Sequence, residues 1–157
     1  WEDDQMKTTF AAFALAAALA QPASAITFPT LTTIYVGSGV QHTTGSLATT
    51  ATAVSCSNVS GVTASVRVLF LQASGAVAAQ TTVTLVHGAT VNFTTGEVNA
   101  IFHFPLTTGQ ITGGVVNIES TQSDMFCTAS IMDTETSGPN GVALHLVPVN
   151  PHPGTVE

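Results

Sequence analysis

Five histidines, two cysteines and a few scattered carboxylates are the residues of this chain that could do chemistry. The histidines are His42, His87, His103, His145 and His152. Neutral imidazole ligates Zn²⁺ and Cu²⁺, which makes His87, His103 and His145 the candidate metal ligands. No H-x-H or H-x3-H spacing brings two of them together locally, so only the fold could make them converge. The stretch "MDTETSGPNG" (residues 132–141) places Asp133 and Glu135 beside Asn140. Oxygen ligands on such a loop suit Ca²⁺, but the EF-hand pattern is missing and the same residues build ordinary turns. Glu119 and Asp124 flank a polar turn and resemble a glycosidase pair only in type, because an aromatic substrate groove is not in prospect. The chain contains no G-x-S-x-G elbow, P-loop or G-x-G-x-x-G. No catalytic residue and no cofactor is expected, and an enzymatic role is disfavoured.

The cysteines are Cys56 and Cys127. Cys56 shares a strand face with Val54, and Cys127 shares one with Met125, Ala129 and Ile131, so both thiols are expected to point inward. A nucleophilic Cys127 lacks a His nearby in sequence, and buried structural cysteines are inert. A blue-copper site needs a closely following His, which is absent even though Met132 is present. A disulfide between two sheets is the expectation, in a compartment where disulfides persist.

That compartment is read from the N-terminal stretch. Met6-Lys7, the apolar run "FAAFALAAALA" (residues 10–20) and Ala23-Ser24-Ala25 have the order of a secretory signal peptide, with cleavage after Ala25. The apolar run is shorter than the ~20 residues of a membrane span. The acidic "WEDDQ" before Met6 runs against the usual basic start, and Met6 reads as the start of the signal. Residues 1–25 are therefore assigned to the signal, 26–150 to one domain and 151–157 to a flexible tail. The expected destination is the periplasm or the medium, with no stable membrane insertion after cleavage.

Composition narrows the partners. Charged residues make up 7% of the chain and Lys7 and Arg67 are its only basic ones, against ~25% charged residues in globular proteins. Phosphate recognition needs clustered Lys and Arg, so nucleic acid is excluded as a partner. The net charge of -7 comes from dispersed acids. Hydrophobic residues reach 45%, enough for a packed core.

The elements that must carry these residues are strands. Val62, Ala64, Val66, Val68 and Phe70 alternate with mostly polar neighbours, which is the period of a half-buried strand. After the turn at Ala73-Ser74-Gly75, Val77 to Leu85 alternates again and predicts a hairpin. Further strands are expected at 32–36, 48–56, 91–93, 98–104, 115–119, 125–132 and 142–146. The segments 115–119 and 125–132 read as a hairpin around "STQSD". About eight short strands with no helix after the signal predict an all-β fold, a single antiparallel immunoglobulin-like β-sandwich of 7–8 strands. His103 and His145 fall opposite the apolar faces of their strands and are expected to point outward. Asn58-Val59-Ser60 and Asn92-Phe93-Thr94 match the glycosylation sequon.

The stretches "CSNVSGVTASVRVLFLQASGAV" (56–77) and "GGVVNIESTQSDMFCTASIMD" (113–133) resemble small exported bacterial β-sandwich proteins of Ig-like architecture. The resemblance implies a fold and a compartment, and no activity. Two Ig hallmarks are missing: no Trp lies between the cysteines, and Met125 occupies the tyrosine-corner position. The function expected is a non-catalytic structural or binding module held by one disulfide. The alternative is an exported Cu/Zn-binding protein or metal-dependent enzyme using clustered histidines. Edge strands usually carry Lys to block pairing with other chains. A chain without Lys beyond its signal is therefore expected to meet a protein partner, or itself, through a sheet edge.

Overall fold

The computed structural model describes residues 30–45, 49–135 and 140–149. The expected signal peptide (residues 1–25) and the expected flexible tail (151–157) lie outside the described residues. The chain is all-β. Ten strands are described: β1 (Thr32–His42), β2 (Thr50–Asn58), β3 (Ala64–Leu71), β4 (Val77–Leu85), β5 (Thr90–Thr94), β6 (Phe104–Pro105), β7 (Ile111–Ser120), β8 (Met125–Asp133), β9 (Gly141–Leu144) and β10 (Leu146–Pro148). Val, Ile, Thr and Phe dominate these segments because branched and aromatic side chains fit a pleated, half-buried surface.

The strands form one continuous, curled sheet with two limbs. In the first limb β4 pairs with β3, β3 with β7, β7 with β1, and β1 with β10. In the second, β6 pairs with β5, β5 with β2, β2 with β8, and β8 with β9. The limbs join at a single β1–β2 pair, His42 opposite Ala51. One core serves both limbs: Val66, Val68, Phe70, Val116 and Ile118 from the first meet Val54, Cys56, Val91, Phe93 and Met125 from the second. Phe70 and Phe93 are fully buried, each stabilising the fold by roughly 1.5–3 kcal/mol relative to exposure.

Alternation set the inward face of several strands, as β3 shows with Ala64, Val66, Val68 and Phe70 buried and their neighbours half-buried, whereas β2 buries Ala51 to Val54 in succession. β1 departs from regular geometry. Its register against β7 shifts between Thr33 and Tyr35, between Ser38 and Val40, and between Val40 and Gln41. Gly39 there has φ 92°, a left-handed conformation that glycine adopts without steric cost. A Cβ on Gly37 would sit 2.7 Å from Leu146 Cδ2, so this glycine lets β10 approach.

Four expectations need correction. Among the described residues the strands number ten, and the sheet is mixed because β5 and β6 run parallel. The segments around "STQSD" are not a hairpin: β7 belongs to the first limb and β8 to the second, and the turn carries the chain across. Polar turn residues serve a hairpin and a crossover equally, so their chemistry does not separate the two. The expected strand at 98–104 is a loop with only Phe104–Pro105 extended, because Val98, Ala100 and Ile101 pack on Ala51, Ala53 and Met132 as a second small cluster. The expected strand at 142–146 is two strands, β9 on β8 and β10 on β1, with His145 at the break.

Candidate functional site

Cys56 and Cys127 form a disulfide inside the core. It does not bridge two sheets. The residues face each other on hydrogen-bonded neighbours β2 and β8, with Cα atoms 4.2 Å apart. Facing residues on one side of an antiparallel ladder approach this closely in the non-hydrogen-bonded pairs. An Ig-type link spans the two sheets, so this disulfide departs from that pattern.

The candidate metal ligands are placed in three different settings. His87 is exposed in the β4–β5 crossover, and its Nδ1 accepts the Gly61 N–H at 3.1 Å. His145 is exposed between β9 and β10. His103 does not point outward: its side chain is 8% exposed. Nδ1 lies 2.7 Å from the Ile101 carbonyl and Nε2 accepts the Val98 N–H at 3.3 Å. Its ring serves as a brace for the 96–103 loop, with Glu97 at 3.4 Å. The loop folds back over β2, which turns His103 inward, whereas a strand there would have exposed it. Among the described residues no group of three or more His, Cys, Asp or Glu side chains is gathered for a metal ion.

The carboxylates are engaged locally. Asp133 Oδ1 accepts the Glu135 N–H at 2.9 Å, the geometry of a turn. Glu135 lines a surface cleft of about 270 Å³ together with His42, Glu97 and Asn99. Glu119 pairs with Arg67 across β3 and β7, accepting Arg67 Nε at 2.6 Å and Asn117 Nδ2 at 3.0 Å. Glu119 is thus part of an ion pair on the outer sheet face.

Two polar centres hold the ends of the molecule together, and neither was legible as such in the sequence. At one end the crossovers β2–β3, β4–β5 and β7–β8 gather around Asn58, which is fully buried. Asn58 Nδ2 donates to the Val62 and Leu85 carbonyls, both at 2.7 Å. Its Oδ1 accepts Ser60 N–H at 3.0 Å and Ser60 O–H at 2.7 Å. The main chain adds Asn58 N–H to Ala89 O, Gly88 N–H to Asn58 O and Val59 N–H to Asp124 O. The sequon amide of Asn58 is consumed by the fold and is closed to a glycan. The second sequon amide, Asn92, donates to the Phe102 carbonyl at 2.9 Å.

At the other end, the limb junction is stitched by hydroxyls. Thr52 Oγ1 accepts Gln41 N–H at 2.8 Å and donates to Gln41 O at 3.0 Å, while Thr95 Oγ1 accepts Thr52 N–H at 2.9 Å. Thr108 Oγ1 donates to Thr95 O at 3.0 Å. His42 Nδ1 lies 2.7 Å from Gly109 O and 2.8 Å from Thr108 Oγ1. A carbonyl only accepts, so Nδ1 carries the proton in this arrangement. Gly96 leaves the space for that imidazole, since a Cβ there would collide with His42 Nε2.

The surface feature with the clearest potential for contact is β4. It pairs with β3 alone, and among the described residues no strand takes its other edge. Beside its C-terminal half, Val83, Leu85, Val91, Phe102 and Phe104 line a cleft of about 180 Å³. Phe102 is 88% exposed and Phe104 50%. No helix among the described residues is long and apolar enough to cross a membrane. No protein-family model, curated protein or solved structure matches the chain.

Proposed function

We propose that this protein is an exported, disulfide-stapled module of Ig-like sandwich type, related in kind to the small exported bacterial proteins it resembles, with a structural or binding role and no catalysis. The observation that carries the reading is the Cys56–Cys127 disulfide buried in the shared core. Disulfides persist in oxidising compartments and are rare in the cytosol. The sandwich reading draws support from two limbs that close on one core. The position of the disulfide within one limb and the parallel β6 count against strict Ig topology. The destination on this reading is the periplasm or the medium, and the partner is a protein met through a sheet edge, with nucleic acid disfavoured by the scarcity of Lys and Arg. The metal-dependent alternative is not favoured, because His103 spends both ring nitrogens on the main chain.

Native mass spectrometry of the chain recovered from an exporting host tests this reading, with alkylation after denaturation in the absence of reductant. The expected result is a mass beginning at Ile26, with Cys56 and Cys127 unalkylated and no bound metal. Alkylated cysteines or a stoichiometric metal would overturn it.

A further inference from the structure

Asn140 and Gly141 form the only Asn–Gly step in the chain. Both residues are exposed, and Gly141 opens β9. The hydrogen bonds around them fix where the Gly141 nitrogen points. Asp133 N–H donates to Asn140 O at 3.1 Å, so Asp133 and Asn140 make a hydrogen-bonded pair next to the Met132–Gly141 pair. Hydrogen-bonded and non-hydrogen-bonded pairs alternate along an antiparallel ladder. Met132 and Gly141 are therefore a non-hydrogen-bonded pair, and Gly141 N–H turns away from β8. Thr134, in the same phase as Met132, likewise turns its N–H from β9 and donates to Thr49 O at 3.0 Å. Among the described residues β9 pairs with β8 alone, so no ladder takes the Gly141 nitrogen.

We propose that Asn140 is a site of self-modification, at which the Gly141 main-chain nitrogen closes onto the Asn140 side chain and water converts the product to aspartate or isoaspartate. Gly141 N bonds to Asn140 Cγ, the Cγ–Nδ2 bond breaks, and ammonia leaves with the proton that Gly141 N gives up. Water then opens the succinimide ring. Opening at Cγ restores the main chain and leaves an aspartate; opening at the main-chain carbonyl leaves an isoaspartate, with the chain running through Cβ and Cγ. Nucleophile and electrophile sit on adjacent residues, so the closure is intramolecular. Glycine has no Cβ to crowd the approach. The position is held to glycine by the fold, because a Cβ on Gly141 would lie 2.8 Å from the Ile131 carbonyl oxygen.

The other described asparagines are guarded. Asn58, Asn92, Asn99 and Asn117 each donate their amide to a carbonyl or carboxylate oxygen, and each is followed by a residue with a side chain. Conversion at Asn140 would act on β9. An aspartate there faces Asp133 on the same side of the ladder, and like charges directly opposite each other are destabilising. An isoaspartate lengthens the backbone between Asp133's partner and Gly141, which breaks the register. β9 has only four residues. Its Leu144 packs on the core beside Gly37 and Gly39 of β1, and it lines the same cleft as Cys127. Loosening β9 therefore uncovers the β8 edge that carries the disulfide. The site needs only water and is independent of the exported-module reading.

The test is incubation of the purified chain, disulfide intact, in mildly alkaline buffer with and without urea. Peptic peptides are then mapped by mass spectrometry, with electron-transfer fragmentation to separate isoaspartate from aspartate. Hydrogen exchange follows the Val142 and Leu144 amides, which the alternation directs to β8. The native chain is expected to convert at Asn140 before any other asparagine, and the converted fraction to lose protection at Val142 and Leu144. Asn140→Gln keeps an amide but sets its carbonyl one bond further away, and is expected to resist conversion and retain that protection. An Asn140 that converts only in urea, or not at all, would overturn the proposal, as would earlier conversion at another asparagine. Conversion with Val142 and Leu144 still protected would overturn the loosening of β9.

Discussion

Removing the disulfide by Cys56→Ala with Cys127→Ala is the perturbation whose size follows most directly from the structure. The link closes a loop of sequence separation 71, and the chain-entropy relation assigns such a loop about 4 kcal/mol. The native state needs little rearrangement to lose it, because β2 and β8 stay in register from Thr50–Asp133 to Asn58–Met125 without it. The effect therefore falls on the unfolded chain, which gains freedom once the link is gone. For a domain of this size each kcal/mol moves the melting temperature by about 4 °C, so the double variant is expected to melt roughly 15 °C lower. Scanning calorimetry of the oxidised wild type and of the variant measures this. Reduction of the wild type provides a control that keeps both sulfurs in place and should give a similar drop. A decrease of less than about 4 °C by both routes would refute the reasoning, since the staple would then contribute under a quarter of the expected amount.

Three further substitutions probe the two polar centres and the Arg67–Glu119 ion pair. Asn58→Ala strands the Leu85 carbonyl and the Ser60 N–H and leaves the Val62 carbonyl with the Ser60 hydroxyl alone, and urea denaturation is expected to show a loss of about 3 kcal/mol; a loss under about 1 kcal/mol would mean that water replaces the amide. Gly96→Ala drives a methyl group against the His42 ring, and the expected cost is about 1–3 kcal/mol, with the His42 imidazole NMR signals displaced; unchanged signals would show that the ring is not seated there. Arg67→Gln leaves Glu119, 13% exposed, without its cation, and should cost about 1 kcal/mol at low salt and less at high salt; a salt-independent loss would assign the effect to packing of the Arg67 stem instead.

The legible part of the candidate site was the cysteine pair. Val54 and Met125 mark the apolar phase of their strands, so the inward direction of Cys56 and Cys127 follows from period-two alternation. Their relation as neighbours within one limb does not follow, because it depends on β2 and β8 being side by side. The histidines were legible only as chemical types. His103 turned inward because its segment packs over Ala51 and Ala53 as a loop, and a local pattern of alternating Val98, Ala100 and Phe102 gave the opposite direction. Asn58 read as a sequon because a buried amide and a glycan acceptor look alike until the crossovers around it are placed.

The sequence by itself determined that the chain is β, which face of most strands is apolar, the β3–β4 hairpin and the near-absence of positive charge. Those properties are local: side-chain alternation, a Gly75 turn and composition act within a few residues. Tertiary structure alone decided the partner of every other strand, the crossing of β7 to β8, the two-limbed division at His42 and Ala51, and the exposed edge of β4. Backbone hydrogen bonds are the same for any pair of strands, so alternation names a face but not a neighbour. The choice of neighbour is made by side chains far apart in sequence packing into one core, and Phe70 of one limb and Phe93 of the other are both buried in that shared core.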